Sequence, residues 1–224
     1  MKKFLFSLLI LSFSQVGYGF SHDTYELDRN YRENCTTYSD IYEHMPVLRE
    51  LSKECSSVVE IGLRTCVSTW GIIKGLSESS AKDRSYLGID EVMPPIQTMN
   101  LLKKLSLGHG MRFDFWEVND MTVDIPPTDM LFIDSLHTYC HMTYELEKFS
   151  HNVRKIICMH DTSEPWGEVN DNAYHGDYSE YPADIDRTKS GLWPAVQDFL
   201  TRHPEWVLAE RRLNNHGFTV LRRK

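Results

Sequence analysis

Val58-Val59-Glu60-Ile61-Gly62-Leu63-Arg64-Thr65-Cys66-Val67-Ser68-Thr69-Trp70 reads as a strand, a tight turn and the start of a helix. A short apolar run ends in Glu-x-Gly, a loop of small and polar residues follows, and Ser68–Ser77 has helical character. A helix N-terminus offers unpaired backbone N–H groups and a partial positive charge, so the turn suits an anionic ligand. Gly62 has no Cβ, so the backbone there turns sharply or approaches a ligand closely. The rest of the chain reads as a sheet built outward from this strand.

The segments downstream alternate. Arg84–Asp90 is strand two and ends in an acid. Pro94–Leu107 is helical, with Ile96, Met99, Leu102 and Leu105 on one face. Met111–Val118 is strand three, followed directly by Asn119-Asp120. Asp129–Asp134 is strand four, again ending in an acid. Tyr139–Phe149 is a helix, and Arg154–Met159 is strand five, ending in His160-Asp161. Leu192–Leu200 is helical. Trp206–Leu213 and Phe218–Leu221 are β-like runs joined by Asn214-Asn215-His216-Gly217, residues that tolerate positive φ, and read as a hairpin. Upstream, Asp40–Lys53 is an amphipathic helix in which Pro46 divides the helix or marks its first turn.

Strands alternating with helices predict an α/β domain with a mostly parallel sheet, closed by a hairpin that places one antiparallel strand at or near an edge. In such sheets ligands bind outside the carboxyl ends of the strands. Polar residues collect at those ends: Glu60 and Gly62, Asp90, Asn119 and Asp120, Asp134, His160 and Asp161. Each alone would serve as a cap or a solvated turn. Five consecutive strands ending this way form the main functional signal.

The 224 residues suffice for one domain with a large core. A net charge of −8 argues against a nonspecific nucleic-acid binder. Met1–Gly19 reads as a secretory signal peptide: Lys2 and Lys3, then an apolar Phe4–Phe13 of about ten residues, too short to span a bilayer, then small residues at Gly17 and Gly19. Export, periplasmic or secreted, is the expectation, with a membrane anchor or a cytoplasmic location as alternatives. Ser21–Thr37 is polar, lacks clear periodicity and reads as a surface arm or cap, an N-terminal segment (20–37) ahead of a domain over 38–224. Thr162–Ser190 is rich in Gly, Pro and acids and reads as a lid or substrate loop, in which Trp166, His175, Tyr178 and Tyr181 could shape a pocket. The five cysteines show no CxxC spacing, and Cys158 reads as a buried thiol. No signal fixes the oligomeric state.

Three motifs carry a family resemblance: Glu60-Ile61-Gly62, Phe132-Ile133-Asp134-Ser135-Leu136-His137 and His160-Asp161-Thr162. With Gly191–Val196 and Glu205-Trp206 they resemble class I S-adenosylmethionine-dependent methyltransferases, in the methyltransferase-24 / cephalosporin-hydroxylase-like branch that includes sugar O-methyltransferases. The resemblance runs from about Asp40 to the C-terminus. It implies a single Rossmann-like, doubly wound sheet of seven strands, and methylation of a hydroxyl on a small molecule or sugar. It assigns cofactor contacts to Glu60, Gly62, Arg64, Ser68, Asp90, Asn119, Asp120 and Asp134. Asp90 would take the ribose, Ser68 the methionine carboxylate, and Asn119 and Asp120 the adenine. His137 and Asp134 would be catalytic, His137 as base or ligand. Asp134, His160 and Asp161 would hold Mg²⁺, which favours oxygen-rich sites. Cys66 stands where many relatives have Gly, which leaves the loop less room. Two other readings remain at this point: an exported noncatalytic binding protein on the same fold, and a metal-dependent hydrolase or hydroxylase, although no HExxH is present.

Overall fold

The computed structural model describes residues 14–171 and 178–224, with side chains over 22–171 and 179–224. Seven strands form one sheet: β1 (Ser57–Ile61), β2 (Arg84–Asp90), β3 (Met111–Glu117), β4 (Thr128–Ile133), β5 (Val153–His160), β6 (Trp206–Arg212) and β7 (Phe218–Arg223). Their order is β3-β2-β1-β4-β5-β7-β6. The first five pair in parallel, and β7 is antiparallel to both β5 and β6. The hairpin therefore inserts its second strand between β5 and the edge strand β6. The chain runs outward from β1 to β3, then returns to lay β4 on the other side of β1. That reversal opens a crevice at the carboxyl ends of β1 and β4.

Helices cover both faces. On one, α1 (Ser14–Thr36), α2 (Met45–Lys53), α3 (Val67–Glu78) and α4 (Ile96–Gly108) pack on Val58, Phe132, Ile156 and Phe218. On the other, α5 (Tyr139–Phe149) and α6 (Leu192–Arg202) pack on Val59, Ile61, Leu131 and Ile157. Successive strand residues face opposite layers. Along β1, Val58 and Glu60 thus point toward α3, while Val59 and Ile61 point toward α5. Glu60 occupies a core position as a direct consequence of that period.

The polar segment expected as a surface arm or cap is most of α1 and caps the core. Leu27 is fully buried and Tyr31 nearly so, one turn apart on a narrow apolar stripe. Asp28 pairs with Lys74 of α3, and Glu26 with Lys104 of α4 at 3.1 Å. The stripe is too thin to register as periodicity, yet it closes the core over α3 and α4. The helix also runs across Gly19; of the expected leader Met1–Gly19, residues 1–13 lie outside the described residues. No helix among the described residues is long and apolar enough to cross a membrane. Pro46 lies in the first turn of α2. Ile96 is 57 % exposed, so only Met99, Leu102 and Leu105 of the expected α4 stripe reach the core. All five cysteines are free, and Cys158 is buried as expected.

Candidate active site

The crevice holds a cavity of about 550 Å³. Its walls come from the β1–α3 turn, the ends of β2 and β3, the segment after β4, and Glu180-Tyr181 of the long loop. Gly62 sits at its apex with φ +83°. A Cβ on Gly62 would lie 2.1 Å from the Asp134 carbonyl oxygen. Glycine is therefore required by the close approach of β1 to β4, before any ligand is considered. The Asp134 N–H donates to the Ile61 carbonyl at 2.9 Å and continues the sheet to the cavity edge.

Glu60 does not face the cavity. Its carboxyl is fully buried and accepts from the Ser68 hydroxyl, from Thr69 Oγ1 at 2.8 Å and from Tyr86 OH at 2.5 Å. Burial pushes its pKa up to about 7 against those three donors. The resemblance implies that Glu60 accepts hydrogen bonds and orients the turn, and it does so here from beneath, without lining the cavity. Ser68 does line the cavity, but it spends its proton on Glu60. Cys66 has φ +65°, a conformation natural to glycine, and caps α3 without a side-chain bond. Its thiol points away from the cavity, buried against Met99 at 3.6 Å, and burial pushes its pKa up to about 12. It is a packing group and does not narrow the ligand space.

Asp90 faces the cavity and grips the same turn. One oxygen accepts from the N–H groups of Leu63 at 2.7 Å and Arg64 at 3.1 Å, and the other from Val92 at 3.0 Å. Arg64, at φ 45°, reaches out to pair with Asp40 at 2.6 Å. Asn119 caps the short 3₁₀ turn Asp120–Thr122, accepting from Met121 N at 2.7 Å, and its amide donates to Glu91. Both Asn119 and Asp120 line the cavity.

Across the crevice, Asp134, His137 and Asp161 converge. His137 Nε2 lies 2.9 Å from Asp161 Oδ2 and 3.5 Å from Asp134 Oδ1. Their ligating atoms all fall within 4.8 Å of one another. His160 sits behind them, 1 % exposed, with Nδ1 at 3.4 Å from Asp134 and 3.3 Å from Asp161. Its Nε2 faces the Asn215 carbonyl at 3.1 Å. The cavity-facing trio therefore contains His137 in place of the expected His160. The two carboxylates pull His137 up to about 10 against the cost of burial, and raise His160 as well. In return both acids are held below their ordinary range. Asp161 adopts φ 55°, a strained conformation of the kind found at functional sites.

His216, His141 and Glu145, which the sequence reading passed over, complete the site together with Tyr181 of the long loop, which lines the cavity as expected. His216 lies in the hairpin turn, where positive φ at Asn215, His216 and Gly217 curls the chain toward β5. Its Nδ1 is 3.4 Å from Asp161, and its Nε2 accepts from Trp166 Nε1 at 2.6 Å. His141 and Glu145, one turn apart on α5, meet Asp120 at the cavity wall, where Asp120 and His141 are part of the lining. Tyr181 closes that corner, 5 % exposed, with its OH 3.0 Å from His141 Nδ1. The His-x-x-x-Glu spacing on a helix was readable as one shared face; the partners from other segments were not. Trp166 is exposed, His175 lies outside the described residues, and so does the side chain of Tyr178. Asp171 ties the long loop to α5 by accepting from Tyr139 N at 2.8 Å and Gly191 N at 2.7 Å.

No protein-family model matches the chain, and no curated protein matches it by sequence. Solved structures match along nearly its whole length. An O-methyltransferase from Bacillus cereus in complex with SAH is 15 % identical, covers 97 % of this chain and 94 % of its own, and has a TM-score of 0.52. The O-methyltransferase TomG from Streptomyces achromogenes, involved in tomaymycin synthesis and solved with SAM, is 12 % identical over 96 % and 92 % of the two chains, at 0.53. The Burkholderia thailandensis 1,6-didemethyltoxoflavin-N1-methyltransferase, with bound 1,6-didemethyltoxoflavin and S-adenosylhomocysteine, is 11 % identical over 98 % and 93 %, at 0.51. With its strand order and its reversed final strand, this chain has the fold of the class I S-adenosylmethionine-dependent methyltransferases.

Proposed function

We propose that the chain transfers a methyl group from S-adenosylmethionine to a hydroxyl of a small molecule or sugar. The observation that carries this reading is the pairing, across one crevice, of the Gly62–Ser68 turn and Asp90 with the Asp134–His137–Asp161 group. The turn and Asp90 form the cofactor side, with Arg64, Asn119 and Asp120 along it. The acid–imidazole group lies where an acceptor hydroxyl would be oriented and deprotonated. Methyl transfer is an in-line displacement at carbon, so positioning supplies most of the rate.

His137 carries a proton at neutral pH while both carboxylates face it. It accepts the hydroxyl proton only once Asp134 and Asp161 are engaged elsewhere. Their donor chemistry fits a divalent cation, which would lower the acceptor's pKa when bound. Mg²⁺ assistance is thus part of the proposal, with Asp134 and Asp161 as its ligands.

Calorimetry with S-adenosylmethionine and S-adenosylhomocysteine, with and without Mg²⁺, tests the reading. Saturable binding is expected, abolished by Asp90→Ala; absence of binding under both conditions overturns it. The Met1–Gly19 pattern favours a second reading, an exported binding protein on the same fold, because S-adenosylmethionine is made in the cytosol. Under that reading mass spectrometry finds a mature N-terminus near Phe20, and Asp90→Ala leaves ligand binding intact.

A further inference from the structure

Three ionisable side chains outside the acid–imidazole group come together at the cavity wall, Asp120 and His141 on its lining and Glu145 behind them. Asp120 follows β3; His141 and Glu145 are one turn apart on α5. All three are buried, and Glu145 is completely so. Their ligating atoms lie within 4.8 Å of one another. His141 Nε2 is 3.3 Å from Asp120 Oδ2 and 3.7 Å from Glu145 Oε1.

Those separations are long for charge-assisted hydrogen bonds, which close to about 2.7–2.9 Å. They match another geometry. Two ligands about 2.0–2.1 Å from a tetrahedral Zn²⁺ stand about 3.4 Å apart. Two further features point inward. Glu145 Oε2 is a buried atom with no hydrogen-bond partner among the described residues, and Asp120 Oδ2 is buried with only the long 3.3 Å approach of His141 Nε2, short of a well-formed hydrogen bond. Buried carboxylate oxygens in that condition are costly unless something compensates them. The surrounding groups also orient the set as outer partners of a metal do. Tyr181 OH meets His141 Nδ1 at 3.0 Å, so that Nε2 is the ring nitrogen turned to the two acids, and Ser135 Oγ donates to Glu145 Oε1 at 2.7 Å.

The geometry points to a second metal site, formed by Asp120, His141 and Glu145, that takes a borderline transition ion of the Zn²⁺ class. One imidazole and two carboxylates suit such an ion better than Mg²⁺, which prefers an all-oxygen shell. The bound ion would tie α5 to the β3–β4 connection under the cavity floor. Lys148 already reinforces that junction by donating to the carbonyls of Asp120 at 3.0 Å and Met121 at 2.8 Å. The site stands whether or not the chain transfers methyl groups.

The full chain, stripped with a chelator and desalted, is titrated with ZnCl₂ by calorimetry. Wild type and Asp134→Asn are expected to share one tight equivalent of Zn²⁺, which separates this site from the acid–imidazole group. His141→Gln should lose that equivalent while keeping the far-UV circular dichroism of the metal-free wild type. Tyr181→Phe keeps all three ligands and should weaken binding by about tenfold or more. The proposal is overturned if wild type binds no Zn²⁺, if Asp134→Asn abolishes binding, or if His141→Gln binds as wild type does. If His141→Gln does not fold, Tyr181→Phe decides: unchanged affinity overturns the site.

Discussion

Glu60 on β1 and Glu145 on α5 are both fully buried carboxyls, and burial raises both, to about 7 and about 8. Their surroundings differ. Glu60 receives three hydroxyl donors, from Ser68, Thr69 and Tyr86. Glu145 receives one, from Ser135, with one oxygen left over beside an imidazole and a second acid. The first arrangement is closed: each oxygen is spoken for, and the turn above it is held in shape. The second is open toward a further charge. Burial alone therefore does not separate structural acids from functional ones; the count of donors does.

The sharpest break in this comparison lies where the two halves touch. Gly62→Ala drives a methyl group into the Asp134 carbonyl at a φ that alanine rarely adopts. A loss of ~3 kcal/mol or more is expected in denaturant unfolding, with cavity binding lost alongside. Replacing Glu60 by Ala strands three buried hydroxyls and should remove ~3 kcal/mol. Glu145→Gln keeps an acceptor for Ser135 and mimics the protonated acid, so about 1 kcal/mol or less is expected. Equal losses at the two positions would mean that donor count does not distinguish them.

A pH series tests the same contrast less steeply. Glu60, Glu145, His137 and His141 all have pKa values raised on folding, to about 7, 8, 10 and 9. Groups raised in the folded state contribute stability that is fully present below their unfolded values and is lost as pH rises through the folded ones. Asp134 and Asp161 are lowered, so their contribution is present above the usual aspartate range and is lost as pH falls. Stability should peak near pH 4–5, and Tm should fall by about 5 °C between about pH 6 and pH 9.5. A flat or rising Tm over that range contradicts the assignment. The smallest effect belongs to a carboxylate in water. Glu54 pairs with Arg222 through two bonds of 2.8 Å, both side chains being well exposed. Arg222→Ala should cost only ~0.5 kcal/mol, and less in high salt.

Much of this architecture is local in origin. β1 and β2 fall where their apolar runs end, and α5 spans the segment read from its pattern. The hairpin forms where Asn and Gly permit positive φ. α1 was missed because two buried side chains on a long polar helix leave too faint a period. The site was legible as a set of strand ends but not as a set of contacts. Asp134, His160 and Asp161 meet as the strand order suggested and His137 joins them, but His160 and Glu60 lie behind the cavity wall.

The sequence by itself determined the alternation of strands and helices, the reversal of the last strand, and the row of polar residues at one edge of the sheet. These follow from side-chain periodicity and turn chemistry, which act over a few residues. Only the tertiary structure decided which carboxyls are satisfied and which are not. It joined His216 from a turn, Tyr181 from a loop and His141 from a helix to acids far away in the chain. Such pairings depend on through-space distances of a few ångströms, which topology and packing set and no local pattern encodes.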